Sequence, residues 1–139
     1  MPGPVSVFNT TPDNIQNLGP NEIFVFGSNL RGIHGKGAAL TARERFGAEL
    51  GIGMGRTGQC YAIPTKDAKL HSLPRHVIKV NVDHFLKHTI QNPAICFLVT
   101  RIGCGPAGHR EEDIAPMFKD APPNVFLPKE FHAVLHSSC

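Results

Sequence analysis

Apolar and polar positions alternate between two regimes along this chain. Ile23-Phe24-Val25-Phe26 is an unbroken β-branched and aromatic run that stops at Gly27, and Ile95-Cys96-Phe97-Leu98-Val99-Thr100 is a longer run of the same kind. Such runs suit strands covered on both faces. Val5–Phe8, Cys60-Tyr61-Ala62-Ile63 (ended by Pro64) and Val125-Phe126-Leu127 are shorter strand candidates. Between them the period becomes helical. Ala39, Ala42, Phe46 and Leu50 step by three and four, with Arg43, Glu44, Arg45 and Glu49 off that face. From about Pro74 to Asn92, Ile78, Val82, Phe85, Leu86 and Thr89 repeat at helical spacing, and Asn92-Pro93 is a stop. A short helix is expected from Arg110, with Glu111, Glu112 and Asp113 at its positive end, facing outward, and Ile114, Met117 and Phe118 facing the core. Strands alternating with helices predict a three-layer α/β/α domain with a mostly parallel central sheet. One domain spans 1–139, with its core at about 5–127 and a peripheral tail at 128–139.

Chemistry is expected where strands end. The runs at 23–26 and 95–100 both lead through glycine-rich loops into helices, Gly27–Gly37 and Gly103–Gly108. In an open α/β sheet, ligands bind outside the carboxyl ends of the strands. Glycine there lets main-chain N–H groups approach an anion unobstructed, with a helix N-terminus behind them. Two such loops predict two arms around one extended anionic, nucleotide-like ligand. Gly27 to Gly32 has the spacing of a P-loop opening, but Ile33 stands where lysine belongs. Gly53-Met54-Gly55-Arg56-Thr57-Gly58 matches a dinucleotide fingerprint in letters, yet it precedes a strand instead of opening a helix. Neither supports a standard nucleotide motif.

Composition narrows the field. The 14 Lys and Arg against 11 Asp and Glu leave a net charge of +3, far from the basic surface of a protein that works by neutralising a nucleic-acid backbone. Without tryptophan and with Tyr61 as sole tyrosine, a stacking platform for single strands is not expected. Cys60, Cys96, Cys104 and Cys139 are too dispersed for a disulfide framework or zinc site. His84 and His88 lie four apart on the second helix without a third ligand, so no metal and no cofactor is expected. The start, Met1-Pro2-Gly3-Pro4, has no secretion-signal pattern, and no apolar run approaches a membrane span. The expectation is a cytoplasmic protein with no membrane partner.

At the residues singled out, the chain resembles the macrodomain superfamily, the ADP-ribose-binding fold, and especially a small bacterial and phage macro-like group. Val25-Phe26-Gly27-Ser28-Asn29-Leu30 through Gly37-Ala38-Ala39, Tyr61–Asp67, and Val99–Gly105 with Ala107-Gly108 carry the likeness. Loosely, it covers residues 20–127. It implies that Asn29 binds the distal ribose, and that Gly35, Gly37 and Ala38 form the turn beside that ribose and the diphosphate. Gly103, Cys104, Gly105, Ala107 and Gly108 would be the second phosphate-gripping loop. For the aspartate that reads the adenine amino group, Asp13 is the candidate. Gly27-Ser28 replaces alanines of the family motif, and Ile33-His34 interrupts its glycine run.

The polar residues carry competing readings. Asn29 is a turn former or a ribose contact, and the pair of loops favours the contact. Thr65-Lys66-Asp67 is a solvated turn, or else Lys66 meets a phosphate and Asp67 serves as general base. Arg101 makes a local ion pair or faces a phosphate; His34 donates to the ligand or sits exposed in its loop. Ser28 and Gly32 complete the expected binding set. Cys104 with His109 has permissive spacing for a nucleophile and base but no orienting third group. The leading function is binding of ADP-ribose or a related nucleotide, as a reader or sequestering module. The alternative is a hydrolase of ADP-ribosyl bonds or of ADP-ribose 1″-phosphate, with Asn29 and Asp67 catalytic: Asn29 orients the distal ribose, and Asp67 or the ligand's own phosphate activates water. A protein-interaction domain with a vestigial pocket is the third.

Overall fold

A computed structural model describes residues 9–136; Val5–Phe8 and Cys139 lie outside them. In chain order the elements are β1 (Glu22–Asn29), α1 (Gly37–Arg45), β2 (Gly55–Thr57), β3 (Cys60–Lys66), α2 (Arg75–Ile90), β4 (Cys96–Val99), α3 (Glu111–Ile114), a 3₁₀ turn (Ala115–Phe118), β5 (Val125–Phe126) and α4 (Lys129–Leu135). The five strands form one sheet in the order β2-β3-β1-β4-β5. Strand β1 runs parallel to β3 and β4, β4 parallel to β5, and only β2 antiparallel to its neighbour β3.

The central strands bury both faces. Ile23 and Val25 join Tyr61, Ile63, Phe97 and Val99 on one side, against Ile78, Val82 and Phe85 of α2 and Phe118 and Phe131. Phe24 and Phe26 join Cys60 and Ala62 on the other, beneath Ala39 and Ala42 of α1 and Phe46 beyond it. The unbroken apolar runs thus serve two cores at strand period. Helix α2 buries Ile78, Val82, Phe85 and Thr89, the stripe its sequence predicts, and Asn92 Nδ2 donates to His88 O at 2.8 Å at its end.

Four expectations need correcting. Pro64 does not end its strand, since β3 runs through it to Lys66 with Pro64 paired to Ser28. Leu50 is 71% exposed, because α1 stops at Arg45 and the chain turns back, with Ala48 N bonded to Ala42 O at 3.1 Å. Strand β2 sits within the stretch read as loop. The segment after Pro128 is not peripheral: Phe131 of α4 is fully buried with its ring centroid 5.7 Å from that of Phe118. Leu127 also ties the start of the described chain to the sheet, donating to Asn9 O at 2.9 Å and accepting from Thr11 N at 2.9 Å. No described helix is long and apolar enough to cross a membrane.

Parallel pairing has a direct consequence for function. The carboxyl ends of β1, β3 and β4 open at the same sheet edge. The chain leaving β1 passes to α1 on one face, and the chain leaving β3 passes to α2 on the other. That divergence is the switch point at which open α/β sheets leave a crevice.

Candidate anion-binding cleft

At that edge lies a cavity of about 560 Å³, within the range of about 300–1,000 Å³ usual for small-molecule sites. Gly27, Ser28 and Asn29 at the end of β1, Gly35 and Gly37 before α1, Thr65 and Lys66 at the end of β3, and Arg101, Gly103 and Gly105 after β4 all line it. Both glycine-rich loops therefore reach one space. Ala38, a site residue implied by the resemblance, also lines it, together with Ile33, Lys36, Ala39, Leu70, Thr100, Ile102 and Pro106, which were not among the expected binding residues. Lys36 lay within the marked glycine stretch and Thr100 beside it; nothing in the sequence signals Leu70.

The cavity favours negative charge. Its charged lining residues among those described are Lys36, Lys66 and Arg101, with no carboxylate and no histidine. The N-cap Lys36 makes no side-chain cap bond and the first turn of α1 has no acidic residue. The amides of Gly37, Ala38 and Ala39 thus stand where a helix offers N–H groups without intrahelical acceptors. Gly35, Gly103 and Gly105 likewise donate no backbone hydrogen bond to another described residue. Gly103 adopts φ +75°, and a Cβ there would press on Ile114 at 3.3 Å, so glycine is needed to turn the loop.

Hydrogen bonds hold the walls. Asn29 Oδ1 accepts from Ile33 N at 3.1 Å and its Nδ2 donates to Ile33 O at 2.7 Å. Asn29 is a loop former at the cavity wall, with one amide hydrogen and one lone pair uncommitted. The Ser28 hydroxyl donates to Gly53 O, and Gly53 packs so closely behind Asn29 that a Cβ would come within 2.1 Å of its carbonyl oxygen. Gly53, the first glycine of the stretch that matches a dinucleotide fingerprint only in letters, thus backs the cleft wall at Asn29.

Several expected ligand residues do not line the cavity, and each has a structural task. His34 is wholly buried, with Nε2 2.9 Å from Glu49 O and its ring edge-on to Phe26 at 5.3 Å; it pins the loop from behind. Gly32 packs against Gly51. Asp67 Oδ1 accepts from the amides of Lys69 at 2.9 Å and His71 at 3.0 Å. Those bonds hold its carboxyl below the ordinary value, and they turn it to the hairpin rather than to a substrate water. The Cys104 thiol packs on the main core, and burial pushes it up to about 12 with Glu111 adding to the effect. Its supposed base is engaged elsewhere, His109 Nε2 lying 3.0 Å from Leu73 O, so the nucleophile pair is not assembled. Ala107 O accepts from the Ser72 hydroxyl, and Gly108 N donates to Gly105 O at 2.9 Å; these shape the second loop. Arg101 makes the local ion pair, with Glu111, and also lines the cavity. His88 is half-buried, tilted against Tyr61 and edge-on to Phe97, 5.2 and 5.6 Å between centroids. Among the described residues no group of three potential ligands could hold a metal.

A second cavity of about 420 Å³ adjoins the first, and both are lined by Ala38, Thr100 and Arg101. Phe24 and Ile15 contribute apolar surface, Asp13 and Lys129 pair at 3.0 Å beside it, and Thr11 lends a buried hydroxyl oxygen without a partner.

No family model matches the chain, and no curated protein does. A solved structure of a protein of unknown function from Bacteroides thetaiotaomicron is similar, with a TM-score of 0.59 at 17% identity over 80% of this chain and 89% of that one. This likeness concerns the fold alone. The described residues form a mixed α/β fold with a five-stranded sheet and four helices.

Proposed function

We propose that this protein binds ADP-ribose or a related ADP-ribose-derived nucleotide, as a reduced macrodomain-like module. One observation carries the reading: residues of two glycine loops and of one helix start line a single cavity together with Lys36, Lys66 and Arg101. A diphosphate fits such a place, because N–H groups and cations there supply charge-assisted hydrogen bonds. The adjoining cavity, with Phe24 as apolar surface and Thr11 and Asp13 as polar groups, is suited to the base.

Binding is favoured over hydrolysis. Of the two groups offered to activate water in the hydrolase reading, the Asp67 carboxylate is held by the amides of Lys69 and His71, which leaves that reading only the ligand's own phosphate. Calorimetric titration tests the reading: ADP-ribose should bind saturably, adenosine much more weakly, and incubation with ADP-ribosylated protein should release no ADP-ribose. Failure of ADP-ribose to bind at all would overturn it, and sustained release would favour the hydrolase.

A further inference from the structure

Leu70 is the one non-glycine among the described residues with positive φ, at +66°. It is 44% exposed and lines the larger cavity. The hairpin that carries it is tightly held. Lys66 bridges Ser72 across it, Leu70 N donates to Asp67 O at 3.0 Å and Asp67 N to His71 O at 2.8 Å. The Ser72 hydroxyl then fastens it to Ala107 O in the second glycine loop. A left-handed leucine persists only where its surroundings over-determine it, and such residues cluster at ligand sites. Here the result is an exposed apolar side chain held at the wall of a cavity whose charged lining residues are all cations.

Its place along the cleft is informative. The two cavities meet at Ala38, Thr100 and Arg101, whereas Leu70 and Lys66 line the larger one only. A nucleotide whose base occupies the second cavity and whose diphosphate lies along the glycine loops directs its far end into the part of the cleft that Leu70 borders. We propose that Leu70 is a specificity residue for that far end, packing on the C–H face of a distal sugar and favouring ligands that extend beyond the diphosphate. This rests on the nucleotide reading above and adds to it the residue that separates ADP-ribose from ADP.

Calorimetry of wild type, Leu70→Gly and Leu70→Met with ADP-ribose and with ADP tests it. Leu70→Gly should weaken ADP-ribose about five- to tenfold, as expected for losing a partly buried leucine contact, and leave ADP within about twofold. Leu70→Met keeps an apolar chain and should restore ADP-ribose affinity to within about twofold of wild type. Glycine relieves the positive φ, so the melting temperature of Leu70→Gly should not fall, which separates lost contact from lost fold. Unchanged ADP-ribose affinity in Leu70→Gly, or equal weakening of both ligands, overturns the assignment while leaving the nucleotide reading intact. A wild type that binds neither ligand overturns that reading and this inference with it.

Discussion

Replacing Gly53 with alanine probes the back wall of the cleft without touching its lining. The new Cβ would stand 2.1 Å from Asn29 O and 3.1 Å from Asn29 C, the first short of ordinary contact by at least about 1.3 Å. The obstacle is main chain that cannot swing aside: Asn29 pairs with Lys66 in the sheet, and Leu30 N donates to Lys66 O at 3.0 Å. Overpacking of this kind costs about 2–3 kcal/mol, and disturbing the Ser28–Gly53 hydrogen bond adds about 1 kcal/mol. For a chain of this size each kcal/mol lowers the melting temperature by roughly 3–5 °C, so Gly53→Ala should melt about 10–15 °C below wild type. Gly51→Ala is the control. Its Cβ meets nothing within 4 Å, but its φ is +89°, so it should lose only the conformational term, about 1 kcal/mol. Thermal melts and urea midpoints of the three proteins decide the matter. A Gly53→Ala protein that melts within about 2 °C of wild type, or no lower than Gly51→Ala, would refute the close approach.

Gly105→Ala reverses that profile: its Cβ meets nothing within 4 Å, so stability should hold while calorimetric ADP-ribose affinity drops about tenfold as the methyl enters the ligand's space; undiminished affinity would argue against main-chain recognition there. The hydrogen bond from Arg101 holds the Glu111 carboxyl below its ordinary 4.5, so its stabilising effect is complete above pH 4.5 and fades as pH falls through the lower folded value. Urea midpoints from pH 6 downward should therefore fall less steeply in Glu111→Gln than in wild type, and superimposable acid limbs would count against the pair. With its thiol at about 12, Cys104 is thiolate to roughly one part in ten thousand at pH 8. Native iodoacetamide treatment followed by peptide mass mapping should leave it unmodified while a free cysteine reacts, and rapid alkylation would restore the nucleophile reading.

Much of the framework is legible in local pattern. The runs at 23–26 and 95–100 fall in β1 and β4, and Ile78, Val82, Phe85 and Thr89 form the buried stripe of α2. Strand β2 escaped notice because its three residues contain no alternation to read. Leu50 misled because a helical period continues in letters after the backbone has left the helix. Phe131 gave no warning of its burial, since a single apolar residue near a chain end looks alike whether it docks or not.

The sequence by itself determined where the main chain could come close to a ligand: Gly27, Gly35, Gly37, Gly103 and Gly105 mark strand ends and turns where a side chain is missing, and that absence is a local property. Which polar side chains line the cavity was settled by the packing of the whole chain. Asn29 and Arg101 reach the cavity wall, while His34 turns inward to Glu49 O and Asp67 to its own hairpin. A side chain's direction depends on partners distant in sequence, and a donor or acceptor is claimed by whichever partner the fold brings within reach.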